Sequence, residues 1–78
     1  MKVRSYEVKF HSIKDVEAFV NITNCFGYEI KLKRGEGSVD AKSILGVFKL
    51  DLSKPLTVSY KGNHPEFEEL LQQYMVAS

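Results

Sequence analysis

The chain has 78 residues, with 11 Lys and Arg against 10 Asp and Glu and a formal net charge of +1. A chain of this length predicts a single domain over residues 1–78, which buries only about 60% of its unfolded surface. The near-neutral balance excludes a broad basic surface, so we expect no nucleic-acid partner. Charges interrupt every apolar run, so neither a membrane span nor a secretory signal is expected.

The chemistry-bearing residue types are few. Cys25 is the only cysteine, so it can form no internal disulfide, which fits a reducing cytoplasm, and we predict that it is a core thiol. His11 and His64 have no third ligand at a suitable spacing. No metal site and no cofactor are therefore expected.

The first third of the chain predicts a strand followed by a helix. Residues 3–10 alternate between apolar and polar side chains, which is typical of a half-buried strand. Ser12 and Asp15 then form a start that resembles a capping box. Gly27 is expected as the residue that follows the helix. The predicted inward stripe of this helix has the spacing i, i+3, i+4 and i+7: Val16, Phe19, Val20 and Thr23.

The rest of the chain predicts a hairpin, a short helix, a strand and a last helix. Residues 28–33 alternate, residues 34–37 form a turn, and residues 38–41 return. A short helix follows Ser43, residues 56–61 form the last strand, and Pro65 suits the first position of the last helix. The order βαββαβα predicts an α+β fold, a four-stranded antiparallel sheet covered on one face by three helices. The predicted core comprises Phe19, Val20, Ile30, Val58, Phe67, Leu70 and Leu71.

The stretch from Ala41 to Leu50, AKSILGVFKL, is the most informative for function. Ser43 is a natural N-cap, and the helix it begins is too short for all of its apolar residues to face inward. We therefore expect Ile44, Leu45 and Phe48 to form an exposed docking patch beside a serine that could be modified. The alternatives are that Ser43 is only a cap and that the three apolar residues belong to the core.

This stretch resembles the regulatory-serine segment of the HPr family, the histidine-containing phosphocarriers of the bacterial sugar phosphotransferase system. Residues 16–30, VEAFVNITNCFGYEI, resemble the first helix and second strand of the same family. The resemblance implies the HPr open-faced sandwich. It also implies that Ser43 is the site of an ATP-dependent kinase, with Lys42, Ile44, Leu45 and Phe48 as the contact surface for proteins.

The chain departs from the family at the phosphocarrier signature, Gly-Leu-His-Thr-Arg-Pro-Ala. An ungapped comparison puts Ser12 at the histidine, Lys14 at the arginine and Asp15 at the proline, with His11 one position early. A serine forms a stable ester where transfer needs a labile phosphoramidate. Lysine lacks the bidentate contact of arginine, and Asp15 repels a phosphoryl group. We therefore expect no phosphate transfer through histidine.

Together these observations predict a cytoplasmic, non-enzymatic, HPr-like module that regulates by binding proteins. HPr kinase, a transcription regulator and enzyme I are the candidate partners, and the oligomeric state is left open. One alternative is a working phosphocarrier that uses His11, and another is a binding domain of unrelated role that shares the fold. The basic stripe of Lys31, Lys33 and Arg34 has no interleaved aromatic residues, so it is interpreted as a solvated strand face rather than an RNA site.

Overall fold

The computed structural model describes residues 2–76 and contains the predicted order of elements. A 3₁₀ turn, Gln72–Tyr74, follows the last helix. The strands are β1 (Val3–Val8), β2 (Ile30–Arg34), β3 (Gly37–Asp40) and β4 (Leu56–Lys61). The helices are α1 (Ile13–Thr23), α2 (Ile44–Val47) and α3 (Pro65–Leu71).

The four strands form one antiparallel sheet in the order β1-β4-β2-β3. One row of paired residues crosses the sheet on the helix side: Tyr6, Val58, Leu32 and Val39. The neighbouring row faces away from the helices: Ser5, Ser59, Lys31 and Asp40. Because the side-chain period of a strand is two, only one face of this sheet is apolar, and the helices cover that face. The predicted α+β open-faced sandwich is confirmed.

The core lies between the sheet and the helices. The α1 stripe is buried as predicted, and so are six of the seven predicted core residues: Phe19, Val20, Ile30, Val58, Phe67 and Leu71. The prediction for Leu70 is wrong, because its side chain is 43% exposed. The buried stripe at the C-terminal end follows Phe67, Leu71 and Tyr74, and Leu70 lies outside it.

The end of α1 also differs from the prediction. The helix ends at Thr23 with Asn24 as its C-cap, and Gly27 lies three residues beyond that cap. The Asn24 amide donates to the carbonyls of Val20 and Lys42 at 2.9 and 3.1 Å, which joins the helix end to the start of α2. Cys25 is exposed rather than buried. Its position follows the end of the helix, so the apolar stripe no longer dictates which way it faces.

The segment after α3 covers part of the free edge of β1. The Lys9 N–H donates to the Tyr74 carbonyl at 2.8 Å, and the Val76 N–H donates to the Glu7 carbonyl at 3.0 Å. Edge strands expose unpaired backbone groups, and these bonds satisfy some of them. None of the helices within residues 2–76 is long and apolar enough to cross a membrane.

Candidate functional site

The start of α1 is held by a reciprocal pair of hydrogen bonds. Ser12 Oγ accepts from the Asp15 N–H at 3.2 Å, and Asp15 Oδ2 accepts from the His11 N–H at 2.9 Å. In the usual capping box the returning bond reaches the N-cap residue itself, whereas here it reaches the residue before it. The Ser12 hydroxyl and the Asp15 carboxylate are therefore both engaged in capping the helix.

His11 and Ser12 line an open cleft of about 320 Å³, which also includes Leu52 and Ser53 from the loop before β4. His11 and Lys14 are exposed, so both can reach a molecule in solvent. The Asp15 carboxylate is fixed at the first turn of the helix by the hydrogen bond that it accepts from the His11 backbone N–H.

The start of α2 is built by its local sequence. The Asp40 side chain accepts from the Lys42 N–H at 2.9 Å, and the Asp40 carbonyl accepts from the Ser43 N–H at 3.0 Å. These bonds form the turn that places Ser43 as the N-cap, where its Oγ accepts from the Gly46 N–H at 3.2 Å. The predicted N-cap role of Ser43 is confirmed, and its side chain is exposed.

Gly46 allows α2 to lie close against β3. A Cβ atom at this position would lie 3.3 Å from Ser43 Oγ, which is tighter than most real Cβ contacts, and 3.4 Å from Val39 Cβ. The small residue thus accommodates both the cap and the neighbouring strand.

The apolar residues of α2 divide between the core and the surface. Val47 is fully buried, Ile44 is half-buried, Leu45 is 75% exposed and Phe48 is 42% exposed. A helix of one turn can direct only one side toward the core, so Leu45 and Phe48 remain in solvent beside Ser43. Ile44, the third residue of the predicted docking patch, packs partly against the core, so only part of its surface is available to a partner. We call Ser43, Leu45 and Phe48 the α2 patch.

Lys42 makes a contact that was not expected from the sequence. Its Nζ donates to the Phe26 carbonyl at 2.6 Å, so this lysine joins the segment before α2 to the loop between α1 and β2. The ammonium group is engaged within the fold, and its predicted contact with a partner stays a prediction. Two residues far apart in sequence form this bond, and no local pattern indicates it.

The sequence interpretation missed a groove on the face of the sheet that the helices leave open. This groove, of about 660 Å³, is lined by Val3, Lys31, Lys33, Ser38, Ser59 and Lys61, with Tyr28 and His64 also contributing. The alternation in β2 indicated which way Lys31 and Lys33 face, but Lys61 joins them only through the pairing of β2 with β4. His64 stacks on Tyr28 with ring centroids 3.6 Å apart and an interplanar angle of 11°.

The fold can be compared with known proteins. No protein-family model matches the chain, and no curated protein sequence matches it. Solved structures do match. The chain is similar to the phosphocarrier protein HPr of Bacillus anthracis, with 23% identity and a TM-score of 0.77 over 97% of this chain and 100% of that one. It is also similar to HPr-C-His of Thermoanaerobacter tengcongensis, with 26% identity and a TM-score of 0.69 over 94% of this chain and 89% of that one. The chain therefore has the HPr fold.

Proposed function

We propose that this chain is an HPr-like regulatory module that binds other proteins through the α2 patch and does not carry phosphate on a histidine. One observation carries the proposal: an exposed N-cap serine lies beside Leu45, which is 75% exposed, and Phe48, which is 42% exposed. Large apolar side chains exposed together on a small domain are typical of a protein interaction surface. The proposed role is binding rather than enzymatic catalysis.

The start of α1 supports the non-carrier part of the proposal. Ser12 occupies the position of the phosphorylated histidine in the resemblance, and its hydroxyl accepts a capping bond. Asp15 places a negative charge at the same helix start, and Lys14 cannot make the two-pronged contact that arginine makes with a phosphoryl group. Each substitution works against a phosphoryl group at this place.

Phosphorylation of Ser43 would change the α2 patch without disrupting the packing of the core. The hydroxyl is exposed, so a kinase can reach it, whereas Val47 alone of the α2 side chains is fully buried. A phosphate adds roughly two negative charges and strong acceptor oxygens. Placed between exposed apolar side chains, these charges would let a partner distinguish the two forms. An ATP-dependent HPr kinase and a transcription regulator are the proposed partners, and the cytoplasm is the proposed compartment.

The experiment compares the rate at which HPr kinase and ATP modify the wild-type chain and its surface variants. We expect Ser43→Ala to abolish labelling and both Leu45→Ser and Phe48→Ser to lower kcat/KM by about tenfold, since an apolar contact is worth about 1–2 kcal/mol. Leu70→Ser is the control, because Leu70 on α3 is 43% exposed, which matches the 42% of Phe48, and it lies outside the patch. Labelling at full rate in both patch variants, or equal loss in the Leu70→Ser control, would contradict the proposal.

The alternative is a phosphocarrier that uses His11. It is favoured by the exposure of His11 and by the cleft that His11 shares with Ser12 at the start of α1. In that case the chain would accept a phosphoryl group from enzyme I and phosphoenolpyruvate, and His11→Ala would abolish the acceptance. The same assay with Ser43→Ala would leave the acceptance unchanged.

A further inference from the structure

The groove lies on the face of the sheet that points away from the helices and the core. Ser59, in the row of paired residues that faces away from the helices, is nevertheless only 5% exposed. A small side chain on the outer face of a sheet becomes this inaccessible when longer neighbours stand around it. Ser59 therefore forms the floor of the groove, between Ser5 of β1 and Lys31 of β2.

The walls of the groove carry an excess of positive charge. Lys31, Lys33 and Lys61 line it, and Glu29 is its one acidic lining residue. Glu29 lies 3.9 Å from the Lys31 ammonium, and it is itself largely exposed. Within residues 2–76, neither Lys33 nor Lys61 has an ion-pair partner. Asp40, the register partner of Lys31 on the same face, adds a second negative charge beside Lys31. The groove thus offers two ammonium groups, those of Lys33 and Lys61, that form no ion pair within residues 2–76.

The three lysines form a row with regular spacing. Lys31 and Lys33 are two residues apart in β2, so their side chains lie on the same face and their Cα atoms are about 6.8 Å apart. Lys61 lies two residues beyond Ser59, the partner of Lys31, so it is the diagonal neighbour of Lys31 at about 7–8 Å. An extended peptide places every second side chain on one side at the same interval, about 6.8 Å. Acidic residues at alternate positions of an extended segment would therefore meet the lysines one by one.

We propose that this groove binds an extended segment of a partner protein in which acidic residues alternate with small ones. The carboxylates pair with Lys33, Lys31 and Lys61, and the small residues lie over the serine floor. This site lies on the other face of the sheet from the α2 patch, so it is independent of the function proposed above.

A protein segment fits the groove better than a nucleic acid strand does. Binding of single-stranded nucleic acid relies on aromatic side chains on which bases stack. Two tyrosine rings line the groove. Tyr60, next to Lys61 in sequence, is only 3% exposed, and Tyr28 is half-buried and already covered by the His64 ring. The net charge of the chain is only +1, so there is no extended positive field to track a phosphate backbone.

The test measures fluorescence anisotropy of a labelled peptide of alternating Glu and Ser at low salt. We expect binding that weakens as salt is added, and a loss of at least about fivefold in affinity for Lys33→Glu and for Lys61→Glu. Lys54→Glu makes the same charge change at an exposed lysine outside the groove, and it should retain most of the affinity. A peptide of the same composition with its Glu residues in one block should bind more weakly, because its spacing no longer matches.

Chemical shifts of the backbone amides report the position of the peptide. We expect changes at Ser38, Ser59 and Lys61, and none at Ser43. The proposal is overturned if the alternating peptide does not bind, if Lys54→Glu loses as much affinity as the groove variants, or if the shifts lie elsewhere. Tighter binding of oligouridylate with the same dependence on Lys33 and Lys61 would also overturn it, in favour of a nucleic-acid site.

Discussion

The Tyr60 hydroxyl donates a hydrogen bond of 2.6 Å to Glu68 Oε2 and so joins β4 to α3. The same carboxylate lies 3.6 Å from the Arg4 guanidinium, which adds β1 to the connection. Tyr60 is 3% exposed and the Glu68 side chain is 19% exposed, so this bond is partly shielded from water. The C-terminal helix is thus held to the sheet by a polar contact as well as by the apolar packing of Phe67.

Removing the Tyr60 hydroxyl should destabilise the fold measurably. We expect Tyr60→Phe to lower the free energy of unfolding by about 1–2 kcal/mol, because the hydrogen bond to a charged group is lost while the ring remains. Urea denaturation followed by circular dichroism measures this loss. Tyr74→Phe is the matched control: Tyr74 is 6% exposed and packs edge-on against Phe19, and its hydroxyl makes no side-chain hydrogen bond within residues 2–76, so this variant should stay close to the wild type. A Tyr60→Phe variant as stable as the wild type would show that the bond contributes nothing.

Three tyrosines predict how the free energy of unfolding depends on pH in the alkaline range. Burial, reinforced by the hydrogen bond to Glu68, raises the pKa of Tyr60, and burial also raises the pKa of Tyr28 and of Tyr74. A pKa that is higher in the folded state means that the neutral phenol is favoured there. The stabilisation that comes from this preference is complete at pH values below about 10, the pKa of tyrosine in the unfolded chain. It is lost as the pH rises above that pKa. We expect the free energy of unfolding to fall above about pH 10 and to fall less steeply in Tyr60→Phe. An equal slope in both proteins would contradict this assignment.

Two neighbouring residues on α3 should respond very differently to truncation. Phe67 is fully buried, so Phe67→Ala should cost about 3–5 kcal/mol, a large share of the stability of so small a domain. Leu70 is 43% exposed, so Leu70→Ala should cost less than about 1 kcal/mol. Thermal melts of the two variants measure the difference. Similar losses at both positions would mean that the buried side of α3 has been misplaced.

The cap of α2 predicts a graded series at position 43. Ser43→Ala removes the acceptor of the Gly46 N–H and should cost about 0.5–2 kcal/mol. Ser43→Asp keeps an acceptor at the N-cap and should remain close to the wild type. Denaturant melts of the three proteins give the comparison. If Ser43→Asp is less stable than Ser43→Ala, a negative charge at this position disturbs the fold, and regulation through phosphorylation becomes untenable.

The periodic parts of the chain could be predicted, because their patterns are local. The four-residue stripe of α1 requires only that a helix has 3.6 residues per turn, and all four of its members are buried. The strands β2 and β4 alternate with period two, which predicts their inner residues in the same way. Ser43 was also predictable as a cap, because its hydroxyl acts on an amide three residues ahead.

Features that depend on tertiary contacts could not be predicted. Cys25 and Leu70 both lie where a helix ends or changes, and the direction of a side chain there is set by the packing of the next segment. The bond from Lys42 to the Phe26 carbonyl joins residues sixteen positions apart. The groove on the open face of the sheet depends on the pairing of β4 with β2. This pairing brings Lys61 beside Lys31, although they are thirty residues apart in sequence. No residue pattern within one strand contains that information.

The most direct test of the central proposal is to identify the phosphorylated residue in two parallel reactions. One contains HPr kinase and ATP, and the other contains enzyme I and phosphoenolpyruvate. Mass spectrometry before and after acid treatment gives the site and the stability of the phosphate. We predict one acid-stable phosphate on Ser43 in the first reaction and none on the chain in the second. An acid-labile phosphate on His11 in the second reaction, with Ser43 unmodified in the first, would contradict the proposal.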